Sequence, residues 1–142
     1  MIQTLVRTTP FLSLAFICGC TTAPRIETAA DLIARLQSTG IQVASQEQAP
    51  KPTDSHFRFD EGIRIRGPEL FADVLRIEDR RVFDIAKSAG RLLVVAEAVA
   101  GQPIPENPDV FARHPFVVVI RQQPPAAPLE PVLAKLLPPE SQ

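Results

Sequence analysis

The chain has no tryptophan and no tyrosine, only two histidines and two cysteines, and no apolar run long enough to span a membrane. Without Trp or Tyr, the usual stacking platforms for sugars and the commonest interface anchors are missing. Eight Phe must supply the aromatic packing. His56 and His114 lie far apart, and neither has a second His or a Cys at ligand spacing, so no metal and no cofactor is expected. There is no Gly-x-Ser-x-Gly elbow, no Ser-x-x-Lys and no His-Glu-x-x-His, and no residue is assigned a catalytic role. An enzyme would need His114 or His56 beside a carboxylate and a hydroxyl in a cleft. An excess of one charge is also lacking: 15 basic and 16 acidic side chains nearly cancel, which argues against a nucleic-acid partner.

The two cysteines do stand in a distinctive place. Ile17-Cys18-Gly19-Cys20 follows a start with a single cation, Arg7, and an apolar run from Pro10 to Cys18. That is the order of n-region, h-region and small-residue cleavage site. The run is about half the roughly 20 residues a spanning helix requires, and it contains Pro10 and Ser13. The stretch resembles a bacterial lipobox. The resemblance implies that the Cys20 sulfur takes a diacylglycerol, that the chain is cut after Gly19, and that the new amino group is often acylated as well. Cys18 does not fit this role, because Ile17 would then stand where a small side chain is needed; an ordinary secretory cut is the competing reading. Two or three acyl chains anchor firmly where one alone is marginal. Thr21 is not the Asp that usually retains such proteins in the inner membrane, so a Gram-negative source would imply the outer membrane, facing the periplasm.

This divides the chain into a signal peptide (1–19), a lipidated cysteine with its tether (20–28), one domain (29–137) and a short tail (138–142). Removing the first 19 of 142 residues leaves 123, enough for one cored domain and too few for two. Cys18 would leave with the signal and Cys20 would carry lipid, so no disulfide is expected even in an oxidising envelope.

Thr28 can cap a helix with Asp31 in its first turn, and Ala29, Leu32, Ile33 and Leu36 form one stripe that stops at Gly40. Gly40 suits the left-handed helix end, with Ile41 placed to touch Leu36. Ile41 and Val43 predict a short strand, and Ser45–Ser55, polar with two prolines, a surface loop. From Phe57 the period is two: Phe57, Phe59, Ile63 and Ile65 face one way and Arg58, Arg64 and Arg66 the other, interrupted at Asp60-Glu61-Gly62. Residues 69–85 fit either period, and the β-branched and aromatic content of Val82-Phe83-Asp84-Ile85 favours a strand pair turning at Glu78-Asp79-Arg80. Ala86–Ala100 reads as a helix, although Leu92–Val95 also suits a buried strand, and Gln102–Ala112 reads as a loop. Phe116–Ile120 is the strongest strand, and its unbroken apolar run demands cover on both faces, hence a central position. A proline-rich connector containing Pro125-Ala126-Ala127-Pro128 leads to a last helix with Val132, Leu133, Leu136 and Leu137 on one face and Pro131 in its first turn.

The helix with its Gly40-Ile41 exit, Val74–Ile77, Val82–Ile85, Pro108–Phe111, Phe116–Ile120 and the Leu-rich closing helix resemble a group of small exported bacterial lipoproteins of unassigned function. The likeness is hydrophobic in character and carries no catalytic residue.

These patterns predict an α+β fold, a small mainly antiparallel sheet with two or three helices packed on one face. Arg58, Arg64 and Arg66 form a candidate anion-binding surface, with Arg76, Arg80 and Arg81 nearby, suited to phospholipid headgroups or a polyanion. The alternative is a solvated face paired with Asp60, Asp73, Glu78, Asp79 and Asp84. The expected function is that of a lipid-anchored, non-enzymatic envelope protein. Its partners would be the membrane, through acyl chains on Cys20, and an envelope protein. The competing readings are a periplasm-facing domain holding a small ligand in a pocket lined by Phe57, Phe59 and Phe116, or a hydrolase without a sequence signature.

Overall fold

The structure is a computed structural model and describes residues 24–51, 58–88 and 109–139. The stretch Ile17–Cys20 with Cys18 and Cys20, and also His56, Phe57 and Leu92–Val95, lie outside the described residues. Among the described residues one five-stranded antiparallel sheet forms the centre of the fold, in the order β1-β2-β3-β5-β4. Its strands are β1 (Ser45–Gln48), β2 (Glu61–Arg66), β3 (Phe71–Arg76), β4 (Asp109–Arg113) and β5 (Phe116–Gln122). Among the described residues three helices accompany it: α1 (Ala29–Ser38), α2 over residues 80–88, and α3 (Leu129–Leu136). The fold is therefore α+β, as the sequence predicts. No helix among the described residues is long and apolar enough to cross a membrane.

Helix α1 starts where its capping chemistry says it should. The Thr28 hydroxyl accepts the Asp31 amide at 3.0 Å, and the Asp31 carboxylate accepts the Thr28 amide at 2.9 Å, a complete capping box. Its other end closes through Gly40, whose φ of 97° is the left-handed conformation. The Gly40 amide donates to Gln37 and the Ile41 amide to Leu36, which satisfies two carbonyls that a helix end otherwise orphans. Ala29, Leu32, Ile33 and Leu36 are all at most 1% exposed. They pack with Leu129 and Leu133 of α3 against Ile65, Val74, Phe116, Val118 and Ile120. Each large side chain buried there contributes about 1.5–3 kcal/mol.

β5 lies between β3 and β4, and alternate residues feed two separate cores. Phe116, Val118 and Ile120 face α1 and α3, whereas Val117 and Val119 face the opposite side with Leu75, Ile77 and, from α2, Phe83 and Ala86. Two helices thus share one face and α2 covers the other. This is why the strand reads as apolar throughout, and it is central as expected.

Several local expectations are corrected. Asp79 does not turn one strand into another: its carboxylate accepts the amides of Arg81 (2.8 Å) and Val82 (3.2 Å), which makes it the N-cap of α2. Val82 and Phe83 have β-favouring side chains, but Phe83 and Ala86 need a helical spacing to meet the sheet together. Ala86, Lys87 and Ser88 therefore lie within a helix that begins at Arg80, and residues 89–100 of the expected 86–100 helix lie outside the described residues. Residues 41–44 are not a strand; pairing begins at Ser45, inside the segment expected to be a loop. Similarly, Asp109–Arg113 is strand rather than loop. Both are edge strands; in the polar β1 the ladder offered by β2 outweighs local polarity, and β4 pairs with β5 through the apolar Val110-Phe111-Ala112.

Gly67 and Pro68 lie in the connection that joins β2 to β3, with the Gly67 amide donating to the Leu70 carbonyl at 2.8 Å. A Cβ at Gly67 would come within 2.1 Å of the Gln42 carbonyl oxygen. Glycine is required there by close backbone approach. The expected interruption at Asp60-Glu61-Gly62 does not break the strand there, because Glu61 and Gly62 already pair with Arg76 and Leu75. The alternation does break just before it: Phe59 packs with the α2-side core, whereas Ile63 packs with the α1-side core.

Candidate functional site

Arg64 and Arg66 occupy alternate positions on β2 and so point to the same side of the sheet, the side opposite α1. Their environments differ. Arg66 is exposed and reaches Glu47 at 3.4 Å, whereas the Arg64 side chain is only 6% exposed. Arg58 precedes β2 and is exposed. The three arginines expected on one solvated surface are thus divided, with Arg64 withdrawn into the structure.

The reason is Asp73. It sits directly opposite Arg64 in the β2/β3 register, and its carboxylate accepts Nε and Nη2 of Arg64 at 2.7 and 3.0 Å. This fork geometry is the strong form of an arginine–carboxylate pair. A second guanidinium joins it from β5: Arg121 donates to the Asp73 Oδ2 at 3.2 Å from Nε and 2.9 Å from Nη2. Arg121 reaches that position through an irregularity in the ladder. Ala72 pairs with Ile120 and Phe71 with Gln122, so Arg121 is the extra residue of a β-bulge. Bulges re-aim side chains in this way.

Phe71 completes the cluster. The guanidinium carbons of Arg66, Arg64 and Arg121 lie 4.1, 5.0 and 5.3 Å from its ring centroid, all within cation–π range. The arrangement holds two buried arginines rigidly, with a third at the surface. It can orient an acceptor that approaches Arg66, while Arg64 and Arg121 are engaged by Asp73.

The remaining candidates are dispersed. His114 is half-buried, with Nε2 3.0 Å from the Glu78 carbonyl oxygen and its ring edge-on to Phe83 at 5.2 Å. Phe59 and Phe116 belong to the two different cores and so do not line one pocket. Among the described residues no three His, Cys, Asp or Glu side chains converge as a metal site would require. Of Arg76, Arg80 and Arg81, the first two pair locally with Glu78 and Asp84.

Sequence reasoning missed Arg121. Its only signal is that it continues the Val117, Val119 alternation of β5, and this becomes meaningful once β5 is known to lie beside β3 and to bulge there. No protein-family model matches the chain, and no curated protein or solved structure matches it.

Proposed function

We propose that this chain is a lipid-anchored protein of the bacterial envelope, held through acyl groups on Cys20, whose α+β domain serves as a binding module rather than an enzyme. The observation that carries the reading is Ile17-Cys18-Gly19-Cys20 at the end of a short apolar run with a cation before it. The position of the first capped helix supports it. Thr28 opens α1 eight residues after Cys20, which leaves a segment long enough to act as a tether and too short to fold independently. In a Gram-negative source, Thr21 after the lipidated cysteine directs the protein to the outer membrane, with the domain in the periplasm. The partner is a protein or surface of the same compartment.

The test is expression of wild type and Cys20→Ala in a bacterial host, with and without globomycin. The wild-type chain should fractionate with membranes, and its N-terminal peptide should carry the mass of a diacylglyceryl cysteine. Cys20→Ala and globomycin should each change migration and, for the variant, release it from the acylated pool. A wild-type chain with an unmodified Cys20 would refute the proposal.

A further inference from the structure

An open groove of about 540 Å³ lies where the start of the described chain meets the ends of three other elements. Arg25 comes from the segment before α1, Arg35 from the last turn of α1, Arg113 from the end of β4, and Lys135 from the last turn of α3, with His114 beside them. No carboxylate lines it among the described residues. The neutral lining is apolar, from Leu136 and several prolines.

The charge balance here differs from that of the Asp73 cluster. Arg25, Arg113 and Lys135 make no ion pair with a described residue, and Arg35 donates to an uncharged group, the Pro24 carbonyl oxygen, at 3.0 Å. The ordinary reading of Arg35 and Lys135 is that they complement the negative ends of their own helices. Arg25 and Arg113 sit on no helix, and helix complementarity does not account for their convergence on the same groove. Four like charges around one concavity concentrate positive potential and attract an anion with several acceptor oxygens.

Pro24, which lines the groove, is four residues from Cys20. A fully extended chain spans at most ~3.6 Å per residue, so the Pro24 and Cys20 backbones are within ~14 Å of each other whatever the path between them. This is close to the ~10 Å range over which an anionic membrane surface attracts basic residues. We infer that this groove binds the phosphate-bearing headgroup of an anionic phospholipid in the membrane to which the chain is tethered, which orients the domain on that surface. The location argument rests on acylation of Cys20; the charge argument does not.

The test uses the full chain purified in dodecyl maltoside and titrated calorimetrically with micelles of that detergent doped with phosphatidylglycerol or with phosphatidylcholine. Wild type should bind the phosphatidylglycerol micelles more tightly. Arg25→Gln/Arg113→Gln/Lys135→Gln should lose on the order of 100-fold in affinity, about fivefold per cation. If the triple variant is unfolded by circular dichroism, Arg25→Gln/Lys135→Gln, at two exposed positions, should lose about 25-fold. Lys87→Gln, an exposed cation on α2, should bind as wild type does. Equal response to the two lipids, or no loss in the variants, would overturn the inference. Inorganic phosphate binding as tightly as phosphatidylglycerol would do so too, by assigning the groove to free phosphate. Because headgroup binding is read directly, the outcome is independent of the Cys20 modification, which is measured separately by mass.

Discussion

Asp73 holds two guanidiniums with one carboxylate, in a place where all three side chains are about 5–6% exposed. Breaking such a cluster costs more than the cluster itself contributes, since the charges left behind remain buried. Asp73→Ala should therefore lower stability by about 3–5 kcal/mol, read as a shift of the urea midpoint. Asp73→Asn, which keeps an acceptor, should lose less. The shared face of Arg64 and Arg66 is legible in the sequence, as is a candidate partner in Asp73; the placing of Arg58 on that face is not upheld, because the alternation breaks between Phe59 and Ile63. What the sequence does not carry is coverage. Whether an arginine on a strand face is solvated or buried depends on what lies across the sheet, and for Arg64 that includes a bulged residue 57 positions later in the chain.

The elements whose ends carry their own chemistry are legible, and those defined by a neighbour are not. Helix α1 has Thr28 and Asp31 at one end and Gly40 at the other, and each makes the local bond its residue type favours. The Asp31 carboxyl is held below its usual range by hydrogen bonding to Thr28, first through the side chain and then through the amide, and also to the Glu27 amide. A carboxyl with a depressed folded-state pKa stabilises the fold above its unfolded value, here near 3.8, and that contribution is lost as pH falls through the folded value. Urea midpoints measured downward from pH 5 should fall more steeply for wild type than for Asp31→Asn; parallel curves would refute this. Helix α2 is less legible because its first turn, Val82-Phe83, carries strand-favouring side chains and its only local signal is the Asp79 cap. Of the edge strands, β4 carries only the short Val110-Phe111 pair after Pro108, and β1 has no signal of its own. Ser45–Gln48 is exposed at every position and is a strand because β2 offers it a ladder.

On the scale of the whole molecule, the sheet separates two cores, and β5 contributes to both. Phe116 is fully buried on the side of α1 and α3. Phe116→Ala should cost about 3–5 kcal/mol, visible as a lower midpoint in chemical denaturation followed by circular dichroism. The cationic groove is also a property of this scale, because its four charges come from four separate elements that only the assembled domain brings together. The sequence by itself determined the fold class, the limits and caps of α1 and the central place of the Phe116–Ile120 strand. All of these rest on short-range periodicity or on the chemistry of adjacent residues. The tertiary structure decided that α2 is a helix, that the edges of the sheet are strands, that Arg64 is buried on Asp73 with Arg121, and that Arg25, Arg35, Arg113 and Lys135 meet. Each depends on strand register or on the packing of distant segments, and neither is encoded in the spacing of neighbouring residues.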